Sequence, residues 1–115
     1  MTRQRRSSDQ IELLQGTLDM IILRTLRWGP AHGHAIARFI QDTSRDVILV
    51  EHGSLYPALQ RLQQRGWIIA RDGVSENNRR ARFYELTEDG RQHLVRERSN
   101  WRRFTEAVAR IMKTA

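Results

Sequence analysis

The sequence predicts a mainly α-helical fold with a small β-hairpin, and three observations carry that expectation. Apolar residues recur at helical spacing both near the start and near the end of the chain. Between them, "WIIARDG" and "ARFYEL" read as two strands flanking the polar loop "VSENNRR". The resulting order is helix, helix, short strand, helix, strand, loop, strand, long helix. A trio of helices followed by a two-stranded hairpin is the order of a winged helix-turn-helix, here extended by a long C-terminal dimerisation helix.

Residues 1–8 are polar and basic and read as a loose arm, in which Arg3, Arg5 and Arg6 are available to phosphates. From Asp9, a plausible N-cap, Ile11, Leu14, Leu18, Ile21, Ile22 and Leu26 follow helical spacing. Leu13, Met20 and Leu23 widen that stripe, and Gly29-Pro30 ends it. Gly16 inside this helix costs about 1 kcal/mol against alanine. Either another backbone approaches closely there or the glycine is merely tolerated. A second helix fits from Gly33 to Asp42, burying Ala35, Ile36, Phe39 and Ile40. "DTSRD" reads as a loop, and the β-branched "VILV", Val47 to Val50, as a brief strand.

The third helix lies in "HGSLYPALQRLQQRGW". With Ser54 as its cap, Pro57 falls in the first turn, where its missing N–H costs nothing and its fixed φ suits a helix start. Gly66 closes the other end. Winding at 100° per residue gathers Leu55, Ala58, Leu59 and Leu62 on a core face. Tyr56, Pro57, Gln60, Arg61 and Gln64 fall on the flank and far side, with no acidic residue among them. Arg and Gln match donor and acceptor patterns on base edges, while Tyr and Ser hydroxyls commonly meet phosphate. Ser54, Tyr56, Pro57, Gln60, Arg61 and Gln64 are therefore the candidate DNA contacts of a helix entering a major groove by its N-terminal end. A solvated polar face with Tyr56 packed on a neighbour is the competing explanation.

The hairpin tip carries "NNRRAR", and Asn78, Arg79, Arg80 and Arg82 are its candidate contacts to phosphates or a narrow minor groove. Charge at an edge also protects a sheet from aggregation. The last helix opens at Thr87, a good N-cap, followed by Glu88 and Asp89, which suit the positive end of the helix dipole. It runs to about Met112 without proline. Leu94, Trp101, Phe104, Val108 and Ile111 are spaced 7, 3, 4 and 3, an a/d seam surrounded by arginines. A helix of roughly 39 Å, at 1.5 Å per residue, outruns such a small body and is expected to pack on a second copy. A symmetric dimer would hold two recognition helices about 34 Å apart, over a near-palindromic operator. Two symmetry-related Trp101 rings would form a slot for a planar aromatic effector, or simply pack as aromatics do at interfaces.

Composition bounds these expectations. The 115 residues suit one domain, and 39% hydrophobic content is too high for a disordered chain. Lys+Arg of 20 against Asp+Glu of 13 gives a net charge of +7, which favours a polyanionic partner. No run approaches the ~18 apolar residues of a membrane span, and no apolar core follows the basic first residues, so a cytoplasmic protein without membrane contact is expected. There is no cysteine, hence no disulfide or thiolate chemistry. His32 and His34 form an H-x-H pair, but His52 and His93 complete no ligand spacing, and no carboxylate cluster or Gly-rich phosphate loop accompanies them. No enzyme, metal site or cofactor is expected.

"GTLDMIILRTL", "GPAHGHAIA", "GSLYPALQRLQQRGWI" and "RRARFYELTEDG" together resemble the PadR family of bacterial transcriptional regulators, over about Leu13 to Gly90. The short length and single final helix resemble its smaller subgroup. The resemblance implies a winged-helix homodimer that represses transcription, with the third helix in the major groove and the wing on the backbone. Members often respond to phenolic or drug-like aromatic compounds, and in some small members a tryptophan at the place of Trp101 lines a pore at the dimer interface, but the effector itself does not carry over. His34 departs from the family's usual tyrosine, and no role carries over to it. The expected division is a basic arm over 1–8, a winged helix DNA-binding domain over 9–86 and a C-terminal dimerisation helix over 87–115. The rival reading is a winged-helix module that binds protein, with arginines serving solubility.

Overall fold

The computed structural model describes residues 15–114. The arm with Arg3, Arg5 and Arg6, the cap at Asp9, and the apolar positions Ile11, Leu13 and Leu14 lie outside the described residues. Helix α1 covers Gln15–Thr25 and tightens into a 3₁₀ turn over Leu26–Trp28. Strand β1 (Ala31–His32) leads into α2 (Gly33–Thr43), followed by α3 (His52–Gln64). Strands β2 (Ile68–Val74) and β3 (Arg80–Leu86) form the hairpin, and α4 (Glu88–Lys113) completes the chain. The sheet is antiparallel in the order β1-β3-β2. This is the expected winged helix-turn-helix with a long final helix.

One core joins all layers. Leu18, Ile22, Leu23 and Leu26 meet Ile36 and Ile40 of α2, Leu55, Leu59 and Leu62 of α3, and Ile68, Tyr84 and Leu86 of the sheet. Among the described residues, Leu18, Ile22, Leu23 and Leu26 of the stripe expected on α1 are buried, as is the face expected on α3. Phe39 is the exception on α2: it was expected inside and stands 42% exposed. It flanks an open pocket between α1, α2 and α4.

The short strand is not "VILV". Ile48 makes only an isolated bridge there, and the third strand is Ala31–His32, paired with Tyr84 and Phe83. After α2 the chain turns sharply through Arg45 (φ 56) and Asp46 (φ 65). Ser44 Oγ then accepts the Ile48 N–H at 3.0 Å. With the Ile48 amide taken locally and both edges of β3 already occupied, the β-branched run is used for packing, and Val50 is buried. Nor does another backbone approach Gly16: a Cβ there would meet nothing within 4 Å among the described residues.

Helix α3 starts earlier than expected. Its N-cap is Glu51, whose carbonyl accepts the N–H groups of Ser54 and Leu55 at 3.0 and 2.9 Å. Ser54 is therefore inside the helix and does not cap it. Pro57 is the sixth residue and sits in the second turn. The helix tolerates it because Gly53, whose carbonyl lacks an amide partner at i+4, is exposed and open to water. At the far end Gly66 (φ 77) donates to the Gln63 carbonyl at 2.9 Å and Trp67 to the Leu62 carbonyl at 3.1 Å, a Schellman closure.

A tight joint then ties the end of α3 to the start of α4. Thr87 Oγ1 accepts the Gly90 N–H at 3.0 Å and donates to the Gly66 carbonyl at 2.7 Å. The Thr87 N–H donates to the Trp67 carbonyl at 3.0 Å. A side chain at Gly90 would overlap that same carbonyl oxygen. The Trp67 and His93 rings stack at 3.6 Å with 13° between their planes, and the Arg65 guanidinium lies 5.3 Å from the indole centre.

Candidate nucleic-acid interface

On α3, Ser54, Tyr56, Pro57, Gln60 and Gln64 all lie exposed, opposite the buried Leu55, Ala58, Leu59 and Leu62. The helix contains no acidic residue. Tyr56 is 45% exposed, with its ring edge-on to His52 at 5.6 Å. Its hydroxyl rests against Gly33, where a Cβ would come within 2.6 Å. The ring is thus steadied by the first residue of α2. Tyr84 lies close by; burial raises its phenol above the ordinary value, nearby Arg82 opposes that, and Tyr56 adds to it.

Arg61 requires correction. Expected on the outer side, its guanidinium turns to Asp19 of α1, with Nη2 donating to Oδ1 at 2.7 Å and Nε donating to Oδ2 at 3.3 Å. The Asp19 side chain is 10% exposed, so this fork holds α3 to α1 in a nearly dry place. In this arrangement Arg61 is committed inward and offers nothing to a base edge.

The hairpin carries the second group. Asn78, in the left-handed region at φ 59, donates its N–H to the Ser75 carbonyl at 2.9 Å, and the Ser75 N–H closes on the Arg79 carbonyl at 2.8 Å. This local turn presents Asn78, Arg79, Arg80 and Arg82, all exposed, and none of these three arginines is in an ion pair among the described residues. The neighbouring strand cation Arg71 is instead paired with Glu85 at 3.6 Å.

His32, noted in the sequence only as half of H-x-H, fastens the wing to the helices. Its Nδ1 accepts the Ala35 N–H at 3.1 Å and so caps α2. Its Nε2 lies 3.8 Å from Glu76 in the hairpin loop, and its ring is edge-on to Phe83. An Nδ1 that accepts must be unprotonated, which fixes the tautomer. Among the described residues no cluster of three or more His, Asp or Glu could hold a metal ion, and no helix is long and apolar enough to cross a membrane.

Two features escaped the sequence reading. The Asp19–Arg61 tie had a signal: an acid inside an apolar helical stripe calls for a buried partner. His32 had one too, standing just before a helix start.

The expected seam on α4 divides. Leu94 is buried in the chain's own core, whereas Phe104 and Ile111 stand 57% and 66% exposed, with Trp101 and Val108 partly so. Trp101 and Phe104 lie 5.7 Å apart.

An uncharged polar helix face, an arginine-tipped wing and a helix-turn-helix scaffold define a DNA-binding protein of the winged-helix class. The chain belongs to the PadR-like family of transcriptional regulators, whose model matches residues 22–96. The family consists of regulators and not enzymes. The chain is 29% identical over 77 residues to the negative transcriptional regulator PadR of Bacillus subtilis, covering 67% of this chain and 42% of that one. It is 24% identical to an uncharacterized protein of Lysinibacillus sphaericus, over 89% of this chain and 94% of the other. A transcriptional regulator from Clostridium thermocellum superposes with a TM-score of 0.77 at 25% identity, covering 86% of this chain and 96% of that one. A PadR family regulator from Eggerthella lenta gives 0.72 at 27% identity, covering 88% and 86%.

Proposed function

We propose that this regulator is a repressor that binds a near-palindromic operator as a homodimer. The observation that carries the reading is the outward face of α3, where Ser54, Tyr56, Pro57, Gln60 and Gln64 are exposed on a helix without acidic residues. That face enters the major groove, and Asn78, Arg79, Arg80 and Arg82 hold the backbone from the wing. Arg61 acts behind the face, fixing its angle through Asp19. The C-terminal segment, 87–115, joins two copies through Trp101, Phe104, Val108 and Ile111. Repression is supported by the name of the Bacillus subtilis relative. A planar aromatic effector seated between two Trp101 rings is the fitting means of release.

Gel shifts on the chain's own promoter region, repeated over a salt series, test this reading. Specific binding should weaken with a slope of roughly −0.9 per phosphate contact. The pair Arg79→Ala and Arg80→Ala should weaken binding to all sequences alike and flatten the slope by about 1 to 2. Weak binding indifferent to sequence would instead make the chain a protein-binding module.

A further inference from the structure

A cavity of about 320 Å³ opens between α1, α2 and α4. Met20, Ile21, Phe39, Ile40, Leu94 and Trp101 supply its apolar wall, and Arg24 and Arg98 also line it. The volume lies at the small end of the range for ligand sites. Two of the three hydroxyls in the wall already donate to backbone carbonyls. Thr25 Oγ1 donates to the Ile21 carbonyl at 3.0 Å. Ser44 Oγ donates to the Gln41 carbonyl at 3.1 Å and accepts the Ile48 N–H at 3.0 Å. Thr43, the remaining hydroxyl, sits at the exposed edge.

The two arginines are in the opposite condition. Among the described residues, no carboxylate pairs with Arg24 or Arg98. Burial lowers the Arg24 guanidinium below its ordinary value, and the charges of Arg27 and Arg98 lower it further. Like charges beside an apolar cavity are relieved by an anion that joins them.

We propose that this pocket binds an alkyl monocarboxylate, a fatty-acid-like anion. Its chain lies along Met20, Ile21, Ile40 and Leu94, and its carboxylate meets Arg24 and Arg98. Charge complementarity sets the head group, and the apolar side chains of Met20, Ile21, Phe39, Ile40 and Leu94 set the hydrocarbon body. Because Trp101 belongs both to this wall and to the apolar side of α4, the ligand would touch the surface through which two copies join. The proposal does not depend on DNA binding.

Calorimetry on the full chain, without DNA, compares decanoate, decyltrimethylammonium and 1-decanol. Decanoate should bind about tenfold or more tightly than the cation of equal chain length. The double variant Arg24→Gln, Arg98→Gln should erase that difference while melting at the same temperature. Met20→Trp, which fills the cavity, should abolish decanoate binding. Equal or tighter binding of the cation, preference for the uncharged alcohol, or no binding of any probe would overturn the proposal. The last result would mean that an apolar side chain of a second copy fills the space. Gel shifts on the same samples keep this outcome separate from that of the DNA reading.

Discussion

Arg61 shows how one residue's role depends on what lies behind it. Its position on α3 at 100° per residue suggests the outer flank, yet a long side chain reaches back to the nearest unpaired buried charge. Asp19 is that charge, 7% exposed within the apolar run of α1. Helical winding places a Cβ but does not say which way a guanidinium bends, so the sequence could mark the residue and not its partner. Arg61→Met should destabilise the chain by about 2 kcal/mol, because it strands a nearly buried carboxylate. Adding Asp19→Leu to that variant should restore much of the loss, giving a coupling above about 1 kcal/mol in a urea-unfolding double-mutant cycle. Additive losses would show that the fork contributes little beyond its two side chains. Tyr56 was more legible. Its hydroxylated ring had been expected either at the DNA or against a neighbour, and the ring does lie against Gly33 while remaining nearly half exposed.

At the scale of elements, what could be read was whatever depends on local periodicity and caps. The hairpin, α2 and the buried side of α3 follow from such patterns, as do Gly66 and the Thr87 cap. What could not be read depends on long-range pairing. Ala31–His32 carries no strand signature by itself and is a strand only because β3 offers it an edge. "VILV" has the composition of a strand and pairs only at the single bridge of Ile48. The joint between α3 and α4 is of the same long-range kind. At Gly90 the helix passes so close to the Trp67 carbonyl that Gly90→Ala should cost about 3 kcal/mol or more, visible as a lower Tm. An unchanged Tm would mean the joint yields easily. His93, stacked on Trp67, gives the joint a pH dependence. Burial lowers its imidazole below the ordinary value; Glu97 opposes the shift, and Arg96 and Arg65 reinforce it. The unfolded chain therefore binds the proton more readily, and stability falls as pH drops below about 6.5, levelling off once the folded imidazole is also protonated. Urea melts over this range should show His93→Gln with a shallower loss than the parent chain.

Over the whole molecule, the far half of α4 has apolar residues that no described element covers. The chain extends 53 × 38 × 23 Å, and its core ends on α4 at Leu94. Beyond that point Trp101, Phe104, Val108, Ile111 and Met112 are exposed, amid Arg102, Arg103 and Arg110. This apolar stripe is the surface that the proposed dimer would use, with arginines around it. In the dimer proposed above, each copy alone would hold one reading helix with about half the phosphate contacts, so affinity and symmetry both depend on this stripe. Phe104→Glu with Ile111→Glu places two carboxylates in the seam without touching α3, the wing or the buried core. Sedimentation should then report a monomer at micromolar concentration, and far-UV circular dichroism should remain that of the folded chain. Operator binding should fall by orders of magnitude while a half-site probe binds as weakly to the variant as to the parent, because avidity and not the reading helix has been removed. A variant that stays dimeric, or a monomer that keeps full operator affinity, would place the assembly surface elsewhere.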